Sequence, residues 1–259
     1  MCLILFSYKM HPDYRLILTA NRDEFYNRPT APLNYWADHP DVLAGRDLKG
    51  KGTWLGVTGA GRIAAITNYR EPAARRENTP SRGILIRDFL TGTSTPERYL
   101  KAVSKIGQAY NGFNLIAGDP AELYYYSNRA TRVRQLQPGL YGISNHLIDT
   151  AWPKIQRGKD LLQGQLSGRE KIDIEKIWKI LADRSQPADD ELPDTGVGLD
   201  WERVLSPLFI ISPDYGTRSS SVVLLDKSGR VTIRERTFLN TGDEIREDGT
   251  RKFSFKINS

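Results

Sequence analysis

The chain has 259 residues, 39% of them hydrophobic, enough apolar material for a full core. No apolar run nears the ~20 residues of a membrane helix, while a single cysteine excludes an internal disulfide and suits a reducing compartment, most simply the cytoplasm. The net charge of +6 comes from basic residues scattered along the chain, so a solvated surface or an acidic small ligand is expected rather than nucleic acid.

The run Cys2-Leu3-Ile4-Leu5-Phe6 has the length and composition of a buried strand. A turn at Met10-His11-Pro12-Asp13 leads into a second strand, Tyr14 to Ala20, which ends in the polar cluster Asn21-Arg22-Asp23-Glu24. In a hairpin of this length the cluster returns to the level of Cys2. The start lacks the basic region and small-residue cleavage site of a signal peptide. Once Met1 is removed, Cys2 carries both a thiol and a free α-amine. That amine titrates near ~8 and can take the thiol proton. Arg22 beside the thiol is expected to favour the thiolate, and Asp23 to hold the α-amine or orient the arginine. Of the flanking Asn21 and Glu24, one is expected to point away into structural hydrogen bonds.

Arg28 to Lys51, with Pro29, Pro32 and Pro40, reads as a long turn-rich loop of the kind that walls a site. Gly52 to Thr58 and Arg62 to Asn68 form a hairpin about Gly59-Ala60-Gly61. A polar loop, Glu71 to Pro80, leads to a helix through Leu90 capped by Ser81 or Thr79. A second helix starts at Ser94 or Thr95 ahead of Pro96. Strands are expected at Phe113 to Ala117, Leu123 to Ser127, Arg132 to Leu136 and Tyr141 to Ser144. Helical spacing then runs over Pro153 to Leu166 and Asp173 to Asp183. Residues 185–203 form a Pro/Gly/Asp-rich loop. Leu208 to Ser212, Ser221 to Asp226, Val231 to Thr237 and Phe253 to Ile257 close the chain as an antiparallel set. This order gives an α+β fold with large antiparallel sheets, and no linker divides residues 1–259, so one domain is expected.

Asn68 and Asn145 each stand just after an apolar strand, where a side-chain amide can stabilise an oxyanion, although asparagine at a strand end is commonly a turn former. Arg218 opens a late strand. The histidines organise nothing: His11 and His39 lie in Pro-containing turns, and His146 forms a dyad with Cys2 only if the fold joins them. There is no HxH, HExxH, GxGxxG or P-loop pattern, so neither a metal nor a nucleotide cofactor is expected.

Several of these stretches carry a resemblance. Met1-Cys2, the run Thr19 to Tyr26 with Arg28-Pro29, Gly52-Thr53-Trp54-Leu55-Gly56 and Thr67-Asn68-Tyr69 look like the NRDE family, the family of transport and Golgi organisation protein 2. Tyr110 to Leu115, Tyr141 to Asn145 and Tyr215-Gly216-Thr217-Arg218 fit the same pattern in the same order. More distantly the chain resembles the cysteine N-terminal-nucleophile hydrolases, such as choloylglycine hydrolase and penicillin acylases. That resemblance implies a four-layer αββα sandwich of two antiparallel sheets. It also implies a site of Cys2, of Arg22 and Asp23 at the end of the second strand, and of asparagines after two strands, Asn68 and Asn145. The spacing between Arg22 and Asp23 differs from the hydrolases. Ile143-Ser144-Asn145 followed by Trp152 resembles their second asparagine motif, and Arg218 takes the place of a second arginine. The activity implied is hydrolysis or transfer of an acyl group from a linear amide or thioester through a Cys2 acyl-enzyme. Members of the family have been tied to Golgi organisation, haem movement and lipid handling. The alternative is therefore a non-catalytic carrier or homeostasis factor that binds lipid, acyl-CoA or haem in the same pocket. Either way the partner is a small molecule, acyl or anionic in character.

Overall fold

Alternation along the first two strands sets the layers. In β1 (Cys2–Tyr8) and β2 (Tyr14–Phe25), Leu3, Leu5 and Ile17 face one apolar cluster with Trp152, Ile155, Trp178 and Leu181. Ile4, Phe6, Leu16 and Leu18 face another, with Leu43, Val57 and Ile66. Both faces of this hairpin are thus buried, at roughly 1.5–3 kcal/mol for each large apolar side chain. The strand that begins at Cys2 is anchored on both sides. The computed structural model describes residues 2–130, 132–166, 171–242 and 244–257; Met1, and with it the matter of its removal, lies outside them.

A second, antiparallel sheet runs in chain order through β3 (Thr30–Trp36), β4 (His39–Asp47), β5 (Leu55–Thr58), β6 (Ile63–Asn68), β7 (Phe113–Gly118), β8 (Leu123–Ser127) and β9 (Arg134–Gln135). The remaining strands, β10 (Gly139–Ile143), β11 (Tyr215–Asp226), β12 (Arg230–Asn240) and β13 (Ile245–Lys256), join the first hairpin. Their order is β10-β1-β2-β11-β12-β13, with every pairing antiparallel. Helices α1 (Gly83–Thr91) and α2 (Pro96–Ile106) cover the second sheet, and α3 (Pro153–Leu166) and α4 (Ile174–Leu181) cover the first. This is the αββα sandwich, in the α+β class. A short α5 (Leu199–Leu205) lies against the end of the first sheet.

The bounds of α3 match its helical spacing. Asp173 caps α4 by accepting from the Glu175 N–H, and the Thr95 hydroxyl caps α2 ahead of Pro96. Four expectations change. The Arg28–Lys51 segment is not a loop but holds β3 and β4. Pro32 is tolerated because β3 is an edge strand whose register slips between Ala31 and Asn34, and Pro40 because it stands at the start of β4, ahead of the β5 pairing that begins at Val42. Residues 185–203 include the first turn of α5, and Leu208–Ser212 forms no strand, only an isolated bridge from Ile211 to Gly216. The N-cap of α1 is Arg82, without a side-chain cap, rather than Ser81 or Thr79.

Candidate active site

The β1–β2 register places Cys2 opposite Arg22 and Leu3 opposite Asn21. Because side chains alternate, Arg22 shares the face of Cys2 between the sheets, while Asp23 turns to the helix face with Asn21. Asn21 is structural. Its Nδ2 donates to the carbonyls of Leu181 and Leu208, each at 2.8 Å, and its Oδ1 accepts from the Ser220 hydroxyl at 2.6 Å. Arg22 is buried; its guanidinium carbon lies 4.1 Å from the Trp54 ring centroid and its Nη1 donates to Thr30 Oγ1 at 3.1 Å. The Trp54 indole can lie there because residue 45 is glycine: a Cβ at Gly45 would meet the ring at 2.3 Å. Asp23 Oδ1 accepts from the Thr217 hydroxyl at 2.7 Å, and the Tyr215 hydroxyl donates to the Asp23 carbonyl at 3.0 Å.

A cleft of about 280 Å³ opens between the ends of the two sheets, and Cys2, Arg22, Asp23 and Asn68 all line it. Trp54, Arg28, Arg82, Thr79, Pro80 and Ser81 are among its other lining residues. Asn145 stands just behind. It is buried, its Nδ2 donates to the Asn68 carbonyl at 3.0 Å, and its Oδ1 accepts from Arg70 Nη2 at 3.3 Å. Arg218 is placed differently. Thr217 pairs with Asp23 and Ser219 with Arg22, which leaves Arg218 as the extra residue of a β-bulge. Its Nη1 donates to the carbonyls of Phe25 and Arg28, both at 3.0 Å, so it ties down the end of β2 and is not among the cleft-lining residues. His146 stacks between Tyr69 and Trp152, with Nδ1 2.8 Å from Thr150 Oγ1, and does not line the cleft.

Sequence reasoning passed over a buried charged group behind the thiol. Arg70 and Glu202 form an ion pair at 2.6 Å, and Lys154 donates to the Leu205 carbonyl at 2.6 Å. Arg70 could have been noticed, since it follows Asn68 and Tyr69 at the end of β6. Lys154, next to Ile155 near the start of α3, and Glu202, in an acidic stretch, have no sequence signal that separates them from surface residues.

Burial dominates the electrostatics. It pushes the Cys2 thiol up; Asp23 adds to that effect, while Arg22 and the Asp23 backbone N–H oppose it. The expectation that arginine favours the thiolate therefore holds for its sign but not for the net result. Burial likewise raises the Asp23 carboxyl, against Lys154 and the Thr217 hydroxyl, which favour its ionised form. Burial and the neighbouring Arg70 bring the Lys154 ammonium down to about 8. Burial also lowers Arg82 to about 10.

The layers have a counterpart among solved structures. The C2A mutant of the conjugated bile acid hydrolase from Clostridium perfringens is similar in fold, with a TM-score of 0.51 at 11% identity over 100% of this chain and 97% of that one. The architecture is that of the N-terminal-nucleophile hydrolases. The sequence profile described as Transport and Golgi organisation 2 matches residues 1–240, and the chain belongs to that family. The Transport and Golgi organization protein 2 homolog of Bos taurus is 41% identical over 274 residues, covering 98% of this chain and 99% of the relative. The Homo sapiens homolog is 35% identical over 279 residues, with 100% of both covered.

Proposed function

We propose that the chain is an N-terminal-nucleophile hydrolase or acyltransferase in which Cys2, once Met1 is removed, attacks the carbonyl carbon of a linear amide or thioester. The observation that carries this reading is the pairing of Cys2 with Arg22 at a cleft also lined by Asp23 and Asn68. The C2A mutant of the bile acid hydrolase, by its name, had a cysteine at position 2 as well, which supports the same assignment.

The thiol proton passes to the α-amine as the carbon–sulfur bond forms, and the carbonyl becomes an oxyanion. Collapse expels the amine or thiol leaving group, which takes up that proton, and leaves a Cys2 thioester. Water then cleaves the thioester in hydrolysis; a second nucleophile takes the acyl group in transfer. Asn68 and Asn145 serve the oxyanion, Arg22 supplies positive charge beside the thiol, and Asp23 holds the α-amine. Arg218 acts on the site only by fixing the end of β2.

A carrier of lipid, acyl-CoA or haem has less support in the lining. Trp54, Ile66 and Pro80 are its apolar members among the described residues, beside Arg22, Arg28, Arg82, Glu24 and Asp47. The test is acylation of Cys2 by p-nitrophenyl acetate, followed by intact mass. A variant with one extra residue ahead of Cys2 has no basic nitrogen there. It is expected to lose about 10²–10⁴ in rate while its Tm is unchanged. Acylation of that variant at the wild-type rate excludes the α-amine as base and overturns the N-terminal-nucleophile reading. The carrier reading instead requires both the extended chain and Cys2→Ala to keep full biological activity.

A further inference from the structure

A chain of buried hydrogen bonds leads from α5 to the asparagines. The Arg70 backbone N–H donates to the Asn145 carbonyl at 2.7 Å, and its Nη2 to Asn145 Oδ1 at 3.3 Å. Asn145 Nδ2 in turn donates to the Asn68 carbonyl at 3.0 Å. On the other side Arg70 Nη1 meets Glu202 Oε2 at 2.6 Å, and Glu202 Oε1 accepts from the Thr195 N–H at 2.9 Å. Arg70, Asn145 and Glu202 are 8%, 1% and 4% exposed, so the middle of the chain is buried, while its ends at Asn68 and Thr195 are half-buried.

A buried ion pair is weak grounds for stability, because desolvating both charges offsets most of their attraction. What a guanidinium does supply is a rigid planar fork that fixes two acceptors at once. Here one arm is held by Glu202 and the other fixes Asn145 Oδ1. Rotating that amide would bring its NH₂ donors against guanidinium donors, so one orientation is enforced. In that orientation Nδ2 donates to the carbonyl of Asn68, which lines the cleft. We infer that Arg70, clamped by Glu202, is a positioning residue that sets the Asn145 amide and the Asn68 end of β6 on the oxyanion side of the cleft. The inference rests on the acyl-transfer reading above.

Two reactions of Cys2 in the natively processed full chain separate this role from a merely structural one. Acylation by p-nitrophenyl acetate develops charge on an oxygen; alkylation by iodoacetamide displaces iodide and develops none there. Arg70→Gln and Glu202→Gln are expected to slow acylation about 10–100-fold, with alkylation changed by about twofold at most, since removal of an oxyanion donor itself costs about 10²–10³. On an Asn145→Ala background, Arg70→Gln is expected to add nothing further. If Arg70→Gln fails to fold, Glu202→Gln carries the test, because it keeps both the size and an acceptor for Arg70. Equal loss in both reactions, or unchanged acylation, overturns the assignment. A wild-type chain that forms no acyl-thioester overturns the acyl-transfer reading and this one together; an acylating wild type with an unmoved ratio overturns this one alone.

Discussion

Two effects oppose each other at the Cys2 sulfur. Arg22, directly across the β1–β2 pair, stabilises a thiolate, yet burial is larger and leaves the thiol above its ordinary value. Such a thiol is protonated at neutral pH, so a proton acceptor matters more here than a low thiol pKa. Iodoacetamide rates are expected to keep rising beyond the ~8.5 of a free cysteine. Arg22→Ala should move the profile further up and Asp23→Asn should move it down, because the carboxylate destabilises the thiolate. A profile that levels off near neutrality, or that neither substitution shifts, contradicts this balance. The adjacency of Cys2 and Arg22 was legible from hairpin arithmetic alone. The Arg70–Glu202 pair was not: its partners are 132 residues apart, and a buried ion pair leaves no periodic trace.

Between elements, the position of Arg22 depends on how closely β4 approaches the residue before β5. The Trp54 indole lies on Gly45 and carries the Arg22 guanidinium on its face. Gly45→Ala should therefore displace the ring and cost about 1–3 kcal/mol, as overpacking does. The expected readout is a lower Tm with a shifted tryptophan emission; Gly249→Ala, in β13 with nothing within 4 Å of the added Cβ, is a control for the strand propensity of alanine. An unshifted emission with normal Tm would mean that the indole has another place to go. Elements with a clean period, α3 and α4 above all, could be read from the sequence. The β3–β4 hairpin was hidden by Pro32 and Pro40, since an edge strand and the first residues of a strand accept proline where the middle of a central strand cannot.

Across the whole molecule, Glu235 joins the two sheets. From β12 its Oε1 accepts the Leu33 N–H of β3 at 2.6 Å, and burial raises its carboxyl to about 7. A carboxyl raised in the folded state holds a proton that the unfolded chain has released. Its contribution is complete below the ordinary glutamate value and is lost as pH rises through about 7. The Tm difference between Glu235→Gln and wild type should be small near pH 5 and favour the variant near pH 8, because glutamine keeps the acceptor without the charge. A constant difference over that range would remove Glu235 from the pH response. The α+β class was readable from the order of strands and helices, and the four layers only from the resemblance, but the pairing of β2 with β11 was not, as it joins the two ends of the chain. That pairing, with β10 on the other side of β1, also sets a clock. At ~5–20 residues per second of synthesis, β10 follows the N-terminus by roughly 7–30 s, and β11 comes later still. For that interval β1 is an edge strand paired with β2 alone, and not an interior one. The acyl-transfer reading proposed above puts the removal of Met1 in that window.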